Sequence, residues 1–410
     1  MTARLLGFAL VGVVIDMSAL APPFVLPAPT GLYPVGATSW RITDAARPET
    51  YSAAGEPHQV EVHAWYPTDK PGGTPAPYMR AMAEAQSFAQ LMRQPGVFDD
   101  LATVQSHSSL DAVPRSTPAR FPVLVLQHGF TGLPSSHTAL AEDLASHGYA
   151  VLSIVHPYEA TASTLADGKV ITFLNEKGAM HQPIMDVLNE WGPEGDTMTM
   201  VTASASDAEK EKLLRGYFAA LKKTDDVVRR WVLDTRLVLD RLPKTGPGSV
   251  LAARLDLGRA GFFGHSMGGV TSGQFCVEDR RCKAGLNLDG IPQYGTMIDT
   301  PMPAPFLMVY SARPGRMGAS DLIYKRSAAR FYRVDVNDTL HLDFTDMNFW
   351  PGPLRSRKAF GAIAPERAAE ITRTIVREYF DQELLGKPSP LLSRKTTLPE
   401  VTVTQSARPK

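Results

Sequence analysis

The stretch Gly264-His265-Ser266-Met267-Gly268-Gly269 constrains the fold of this chain more than any other. It matches the pattern G-x-S-x-G. A short apolar run, Arg259-Ala260-Gly261-Phe262-Phe263, leads into it, and Val270 to Phe275 can continue it as a helix. A serine between a buried strand and a helix sits on a very tight turn, whose flanking residues need almost no side chain. Gly264 and Gly268 meet that demand, and Gly269 lets the helix lie close to its neighbours. Such a turn exposes the hydroxyl of Ser266 and makes it a candidate nucleophile. The bare pattern also arises by chance, so its meaning depends on what accompanies it.

A serine hydroxyl is a poor nucleophile near neutral pH. It needs a base, and the base needs an orienting acid. On an elbow of this kind the partners follow in the order Ser, Asp or Glu, His, each in a loop after a strand. Asp289 ends the apolar run Ala284-Gly285-Leu286-Asn287-Leu288, and His341 lies just past a predicted strand over 330–336. His341 is the only histidine C-terminal to the elbow. Asp299 and Asp343 are rivals for the acid, although Asp343 lies too near His341 in sequence to reach its far nitrogen easily. Asp346 is expected to cap a helix or order the loop. The tetrahedral intermediate also needs two backbone N–H donors. Met267, after the nucleophile, is one candidate. Phe130, in His128-Gly129-Phe130-Thr131-Gly132, is the other. His128 and His265 are expected to pack or hydrogen-bond behind these groups. His156, at the end of the next predicted strand, and Tyr294 are candidate pocket residues.

The order of elements points to an α/β chain. Residues 60–66 alternate as a strand with one solvated face. Apolar runs at 121–126 and 150–155 flank an amphipathic helix at 136–146, which makes a parallel βαβ unit. Strands are predicted from 261, over 284–288 and over 305–310, with helices over 210–242 and 366–385. Residues from about 161 to 208 look polar and irregular, with methionines scattered through them. The expected organisation is a segment over 1–30, one domain over 31–385 with a cap insertion at about 161–245, and a mobile tail over 386–410.

The chain has 410 residues, 44% of them hydrophobic, enough for one large domain with a substantial core. Formal net charge is zero with no basic block, which argues against a nucleic-acid partner. Arg4 precedes an apolar run, Leu5 to Ile15, of signal-peptide length, and Asp16 interrupts it. Export or membrane anchoring is one expectation, and a buried or disordered terminus the other. Cys276 and Cys282 lack the neighbours a metal site needs. They form either a local disulfide in an exported protein or two inert thiols.

Several segments together resemble the platelet-activating-factor acetylhydrolase (lipoprotein-associated phospholipase A2-like) family. These are residues 121–130, Asp143-Leu144-Ala145-Ser146-His147-Gly148-Tyr149, Val155-His156, the elbow, Leu288-Asp289 and residues 341–346. The resemblance implies an α/β-hydrolase fold, with a mostly parallel sheet flanked by helices, and the insertion over about 161–208 departs from the family. It implies a cofactor-free, metal-free serine esterase acting on short or oxidised acyl chains of phospholipids; a possible membrane surface as partner comes from the apolar N-terminal run. Ser266, Asp289 and His341 would be the triad, and Phe130 and Met267 the oxyanion donors. A general carboxylesterase or polyester hydrolase is the alternative. A catalytically silent binding protein of the same fold is a further rival, against which the Ser, Asp, His order argues.

Overall fold

The computed structural model describes residues 24–52, 55–70, 72–165, 167–175, 177–350, 359–395 and 398–407. Its strands are β1 (Val35–Pro48), β2 (Pro57–Pro67), β3 (Pro75–Pro77), β4 (Gln105–Leu110), β5 (Phe121–Gln127), β6 (Ala150–Val155), β7 (Ala162–Thr164), β8 (Val170–Thr172), β9 (Leu255–His265), β10 (Cys282–Leu288), β11 (Phe306–Ser311), β12 (Arg330–Val336) and β13 (Val401–Ala407). Its helices are α1 (Met82–Leu91), α2 (Thr138–Ser146), α3 (Gln182–Glu190), α4 (Glu194–Ala203), α5 (Asp207–Phe218), α6 (Lys222–Asp240), α7 (Pro247–Ala252), α8 (Met267–Glu278), α9 (Asp321–Ser327) and α10 (Pro365–Leu385).

One sheet runs β13-β12-β11-β10-β9-β5-β6-β2-β1-β4-β3, and β7 and β8 form a separate hairpin. The middle of the sheet, from β12 to β6, is parallel. Every residue of β5, β6 and β11 is buried. Strands covered on both faces read as unbroken apolar runs, which is why these were legible in the sequence. On one face Val123, Val125, Ile154 and Phe262 pack with Trp231 and Val228 of α6 and Phe275 of α8. On the other, Leu124, Leu126, Phe263 and Leu286 pack with Leu140 and Leu144 of α2 and Ile371, Ile375 and Phe380 of α10. Fully burying one such side chain contributes about 1.5–3 kcal/mol before ordering entropy is counted. This is the α/β-hydrolase fold.

Several expectations are corrected. β2 is buried over most of both faces rather than one, with α2 packed against it. Residues 161–208 carry the β7–β8 hairpin, α3 and α4. The helix expected over 210–242 is split into α5 and α6, and α6 packs on α8, β1, β2 and β6 as part of the body. The tail expected to be mobile over 386–410 instead carries β13, which pairs antiparallel with β12 along its whole length. At the other end, Thr30 donates to Asp143 and Arg373 donates to the carbonyls of Pro27 and Ala28, so the domain begins before residue 31. The expected export or anchor segment lies mostly in residues 1–23, outside the described residues. Among the described residues no helix is long and apolar enough to cross a membrane.

Cys276 on α8 and Cys282 on β10 are joined by a disulfide. It closes a short loop with a sequence separation of 6 and should contribute about 2 kcal/mol through the unfolded chain. Replacing both cysteines by alanine should lower the melting temperature under oxidising conditions. Indistinguishable melting of the variant and the oxidised parent would contradict this.

Candidate active site

Ser266 stands between β9 and α8 with φ 55° and ψ −126°. A side chain at φ > 0 costs about 1–3 kcal/mol and persists only where its surroundings over-determine it. Here they do. A Cβ at Gly264 would meet Gln127 O at 2.5 Å, at Gly268 Gln127 O at 2.2 Å, and at Gly269 Asn287 Oδ1 at 2.1 Å. The backbone of Ser266 is fixed by its N–H donating to Leu288 O at 2.9 Å.

Asp289 follows β10 and is fully buried. Its φ is 56°, and the next residue must be glycine, since a Cβ at Gly290 would lie 2.1 Å from Ser266 O. Ser311, the last residue of β11, donates its N–H to Asp289 Oδ1 and its hydroxyl to Oδ2, each at 2.9 Å. His341 opens a 3₁₀ turn after β12 and donates Nδ1–H to Asp289 Oδ2 at 2.8 Å. That bond leaves Nε2 as the free nitrogen of the ring, the tautomer a base toward Ser266 requires. Burial alone would raise the Asp289 pKa. The Arg313 charge and the hydrogen bonds from His341 and Ser311 outweigh it and hold the carboxyl below its ordinary range. Withdrawal of water lowers the His341 pKa, and the Arg313 charge lowers it further.

Ser266, Asp289 and His341 line one cavity of about 230 Å³ with Met267, Val270, Ile291, Tyr294, Trp191, Glu194 and Arg313. Tyr294 is therefore where a pocket residue was expected. Met267 begins α8, where helix geometry leaves the N–H without a helical acceptor. The loop carrying Phe130 abuts the elbow: a side chain at Gly129 would come within 3.2 Å of Ser266 Cβ. The Phe130 ring packs on Trp191 at 5.6 Å and Trp231 at 6.5 Å between centroids.

His156 is not among the cavity residues, a correction to its expected role. Its strand, β6, is separated from β9 by β5, and α6 covers that end. The ring stacks on Trp231 at 4.0 Å and donates to Asp234 at 2.9 Å. Its N–H reaches His128 Nε2 at 3.2 Å, and His128 Nδ1 donates to Gly129 O at 2.7 Å. Burial pushes His128 down to about 3, so it stays neutral. His265 packs behind the His341 ring, donating Nε2–H to His341 O at 2.8 Å. These histidines support the two loops, as expected for His128 and His265.

The rival acids lie elsewhere. Asp343 Oδ2 accepts from the N–H groups of Leu340 at 2.7 Å and Gly361 at 2.6 Å, ordering the loop that presents His341. Asp299 is exposed and pairs with Arg215. Asp346 reaches the first turn of α2, accepting from Ala139 N at 3.0 Å. Trp191, Glu194 and Arg313 were not anticipated. Arg313 could have been: Ser311-Ala312-Arg313 closes an apolar strand at the same edge, the rule that found Asp289 and His341. Trp191 and Glu194 carry no such signal. They reach the cavity because Trp191 donates to Thr224 of α6 at 3.0 Å and Glu194 accepts from Arg316 at 3.0 Å. Among the described residues no cluster of three or more His, Cys, Asp or Glu side chains is placed to hold a metal ion.

Comparison with known proteins bears out the resemblance. The family model described as platelet-activating factor acetylhydrolase, isoform II, matches residues 23–183, which include the Phe130 loop but not Ser266. A platelet-activating factor acetylhydrolase from Canis lupus familiaris is 23% identical over 247 residues, 59% of this chain and 52% of that protein. One from Gallus gallus is 22% identical over 268 residues, 62% of this chain and 59% of that protein. The chain thus spans little more than half the length of these curated relatives. The solved structure of a ferulic acid esterase from Streptomyces cinnamoneus superposes with a TM-score of 0.69 at 29% identity, covering 93% of this chain and 99% of that one.

Proposed function

We propose that this chain, an α/β-hydrolase by fold and similar to the platelet-activating-factor acetylhydrolases and to a ferulic acid esterase, is a serine esterase. The observation that carries this is the shared cavity of Ser266 and His341, with His341 Nδ1 bonded to the buried Asp289 carboxylate at 2.8 Å. In this reading His341 Nε2 takes the Ser266 proton as Oγ attacks the ester carbonyl. Asp289 stabilises the imidazolium. The N–H groups of Phe130 and Met267 receive the oxyanion. The imidazolium then protonates the leaving alcohol, and water activated by His341 releases the acid.

The substrate class is a carboxylic ester with a short acyl group. A cavity of about 230 Å³ walled by Trp191, Ile291, Tyr294 and Val270 bounds the chain that can be buried. The family resemblance points to short or oxidised acyl chains of phospholipids. The near full-length likeness to a ferulic acid esterase favours a second reading, a general carboxylesterase. The disulfide fits an oxidising compartment and hence export.

A panel of 4-nitrophenyl esters of rising chain length, with short-chain phosphatidylcholines beside them, tests both readings. Turnover should rise over the first carbons, since a methylene in an apolar pocket is worth about 1–3 kcal/mol at most, and then fall sharply. Trp191→Ala should move the fall to longer chains. Equal turnover of short and long esters would place the acyl chain outside this cavity. Hydrolysis of the nitrophenyl esters but not the phospholipids would decide for the carboxylesterase.

A further inference from the structure

Arg313 lies just past the end of β11 and occupies an unusual place for a cation. Its Nη2 donates to the Asp289 carbonyl at 2.9 Å and lies 2.9 Å from Asp289 Oδ2. That oxygen is the one that accepts from His341 Nδ1. Ser311 and His341 already hydrogen-bond both carboxylate oxygens, so Arg313 is not needed to satisfy them. What it adds is a second tether, through the carbonyl, and a fixed positive charge inside the cavity. That charge sits beside a ring that must itself become positive when it takes the serine proton.

We propose that Arg313 is a positioning residue: it locks the Asp289 carboxylate toward His341 and, as a fixed cation, sets the acid end of the pH range in which His341 serves as base. This rests on reading Ser266, His341 and Asp289 as a catalytic triad. The groups facing His341 are Asp289 at the end of β10, Arg313 after β11, Glu194 from α4 and His265 from β9. Glu194 is already paired with Arg316, and burial keeps His265 neutral. Arg313 supplies the opposing positive charge in this set and disfavours the imidazolium. The gain is a base whose protonation is pushed to lower pH.

The two parts of this role have opposite signatures. Loss of the charge alone makes the imidazolium easier to form and moves the acid limb of kcat/KM to higher pH. Loss of the tether alone frees Asp289 from His341, removes stabilisation of the imidazolium and moves the limb to lower pH. Arg313→Gln removes the charge, and Arg313→Lys keeps it without the planar guanidinium whose Nη2 carries the tether. The pH profiles are measured on 4-nitrophenyl acetate, and the His341 ring is titrated by NMR in the Ser266→Ala background.

Arg313→Gln should move the limb and the NMR midpoint upward. At one pH unit below the parent midpoint, activity relative to plateau should fall a further roughly three- to tenfold. Arg313→Lys should leave the midpoint at or below that of the parent, as loss of the tether alone requires, while lowering plateau kcat more than it changes KM. Arg313→Met serves as a second neutral variant if Arg313→Gln does not fold. An unmoved or lowered midpoint in either neutral variant overturns the proposal, as does a large upward shift in Arg313→Lys. If the parent turns over no ester, the triad reading fails, while the NMR titration still reports what Arg313 does to His341.

Discussion

Ser266→Ala is expected to abolish ester hydrolysis while leaving the fold intact. Removing the nucleophile of a triad costs about 10⁴-fold or more in kcat, because base, acid and oxyanion donors act only through it. Folding should be nearly indifferent. The Ser266 N–H keeps its bond to Leu288 O, and alanine has no greater difficulty than serine with φ 55°. The elbow is imposed by Gly264, Gly268, Gly269 and Gly290, none of which changes. Thermal unfolding of the variant should closely match that of the parent, because no backbone hydrogen bond or glycine of the elbow is lost. Near-parental turnover in a folded Ser266→Ala protein would remove the mechanism altogether.

The second large effect is expected at Asp289. Asparagine keeps the size of the side chain but loses the negative charge and cannot accept from every donor that surrounds it. Ser311 N, Ser311 Oγ, His341 Nδ1 and Arg313 all point at this carboxylate. An amide there can hold His341 in the wrong tautomer, and in triads of this kind that change costs about 10⁴-fold in kcat. It also leaves the partly buried Arg313 without its counter-charge, so some stability should be lost with activity. Asp343→Asn should behave differently. Asp343 holds two backbone N–H groups of the His341 loop, so its loss should lower the melting temperature more than kcat. Asp299→Asn should do little, because an exposed ion pair is worth at most about 1 kcal/mol. Steady-state kinetics and melting curves of the three variants separate these roles. A crippled but stable Asp343→Asn beside an active Asp289→Asn would reverse the assignment of the acid.

Much of the fold was legible because its centre is a buried parallel sheet. β5, β6, β10 and β11 read as short apolar runs and β12 as an alternating strand, each within a residue or two of its ends, and a polar residue or tight turn after each marks the edge where Ser266, Asp289 and His341 converge. The periphery was not legible. β1 carries Arg41, Asp44 and Arg47 and looks like loop until its long antiparallel pairing with β2 is known. β13 is held by backbone bonds to β12, a partner far away in sequence, and its own residues give little warning of it. Within residues 161–208, α3 does carry an apolar stripe of Ile184, Val187, Leu188 and Trp191, hidden among polar residues, whereas α4 has no clear apolar face. It is fixed by docking, through Glu194 on Arg316 and the close approach of Gly315 to Thr199. His156 was misplaced for a related reason. Its position at a strand end was right, but which strands are neighbours decides what such a residue faces.

The most direct measurement is covalent labelling of the purified chain with a fluorophosphonate, read by peptide mass spectrometry. An activated serine attacks phosphorus and retains the adduct, whatever the natural ester proves to be. A single adduct on Ser266 is expected in the parent and none in Ser266→Ala, with labelling strongly slowed in His341→Ala. A folded parent that hydrolyses esters yet carries its adduct on another residue, or carries none, would contradict the account.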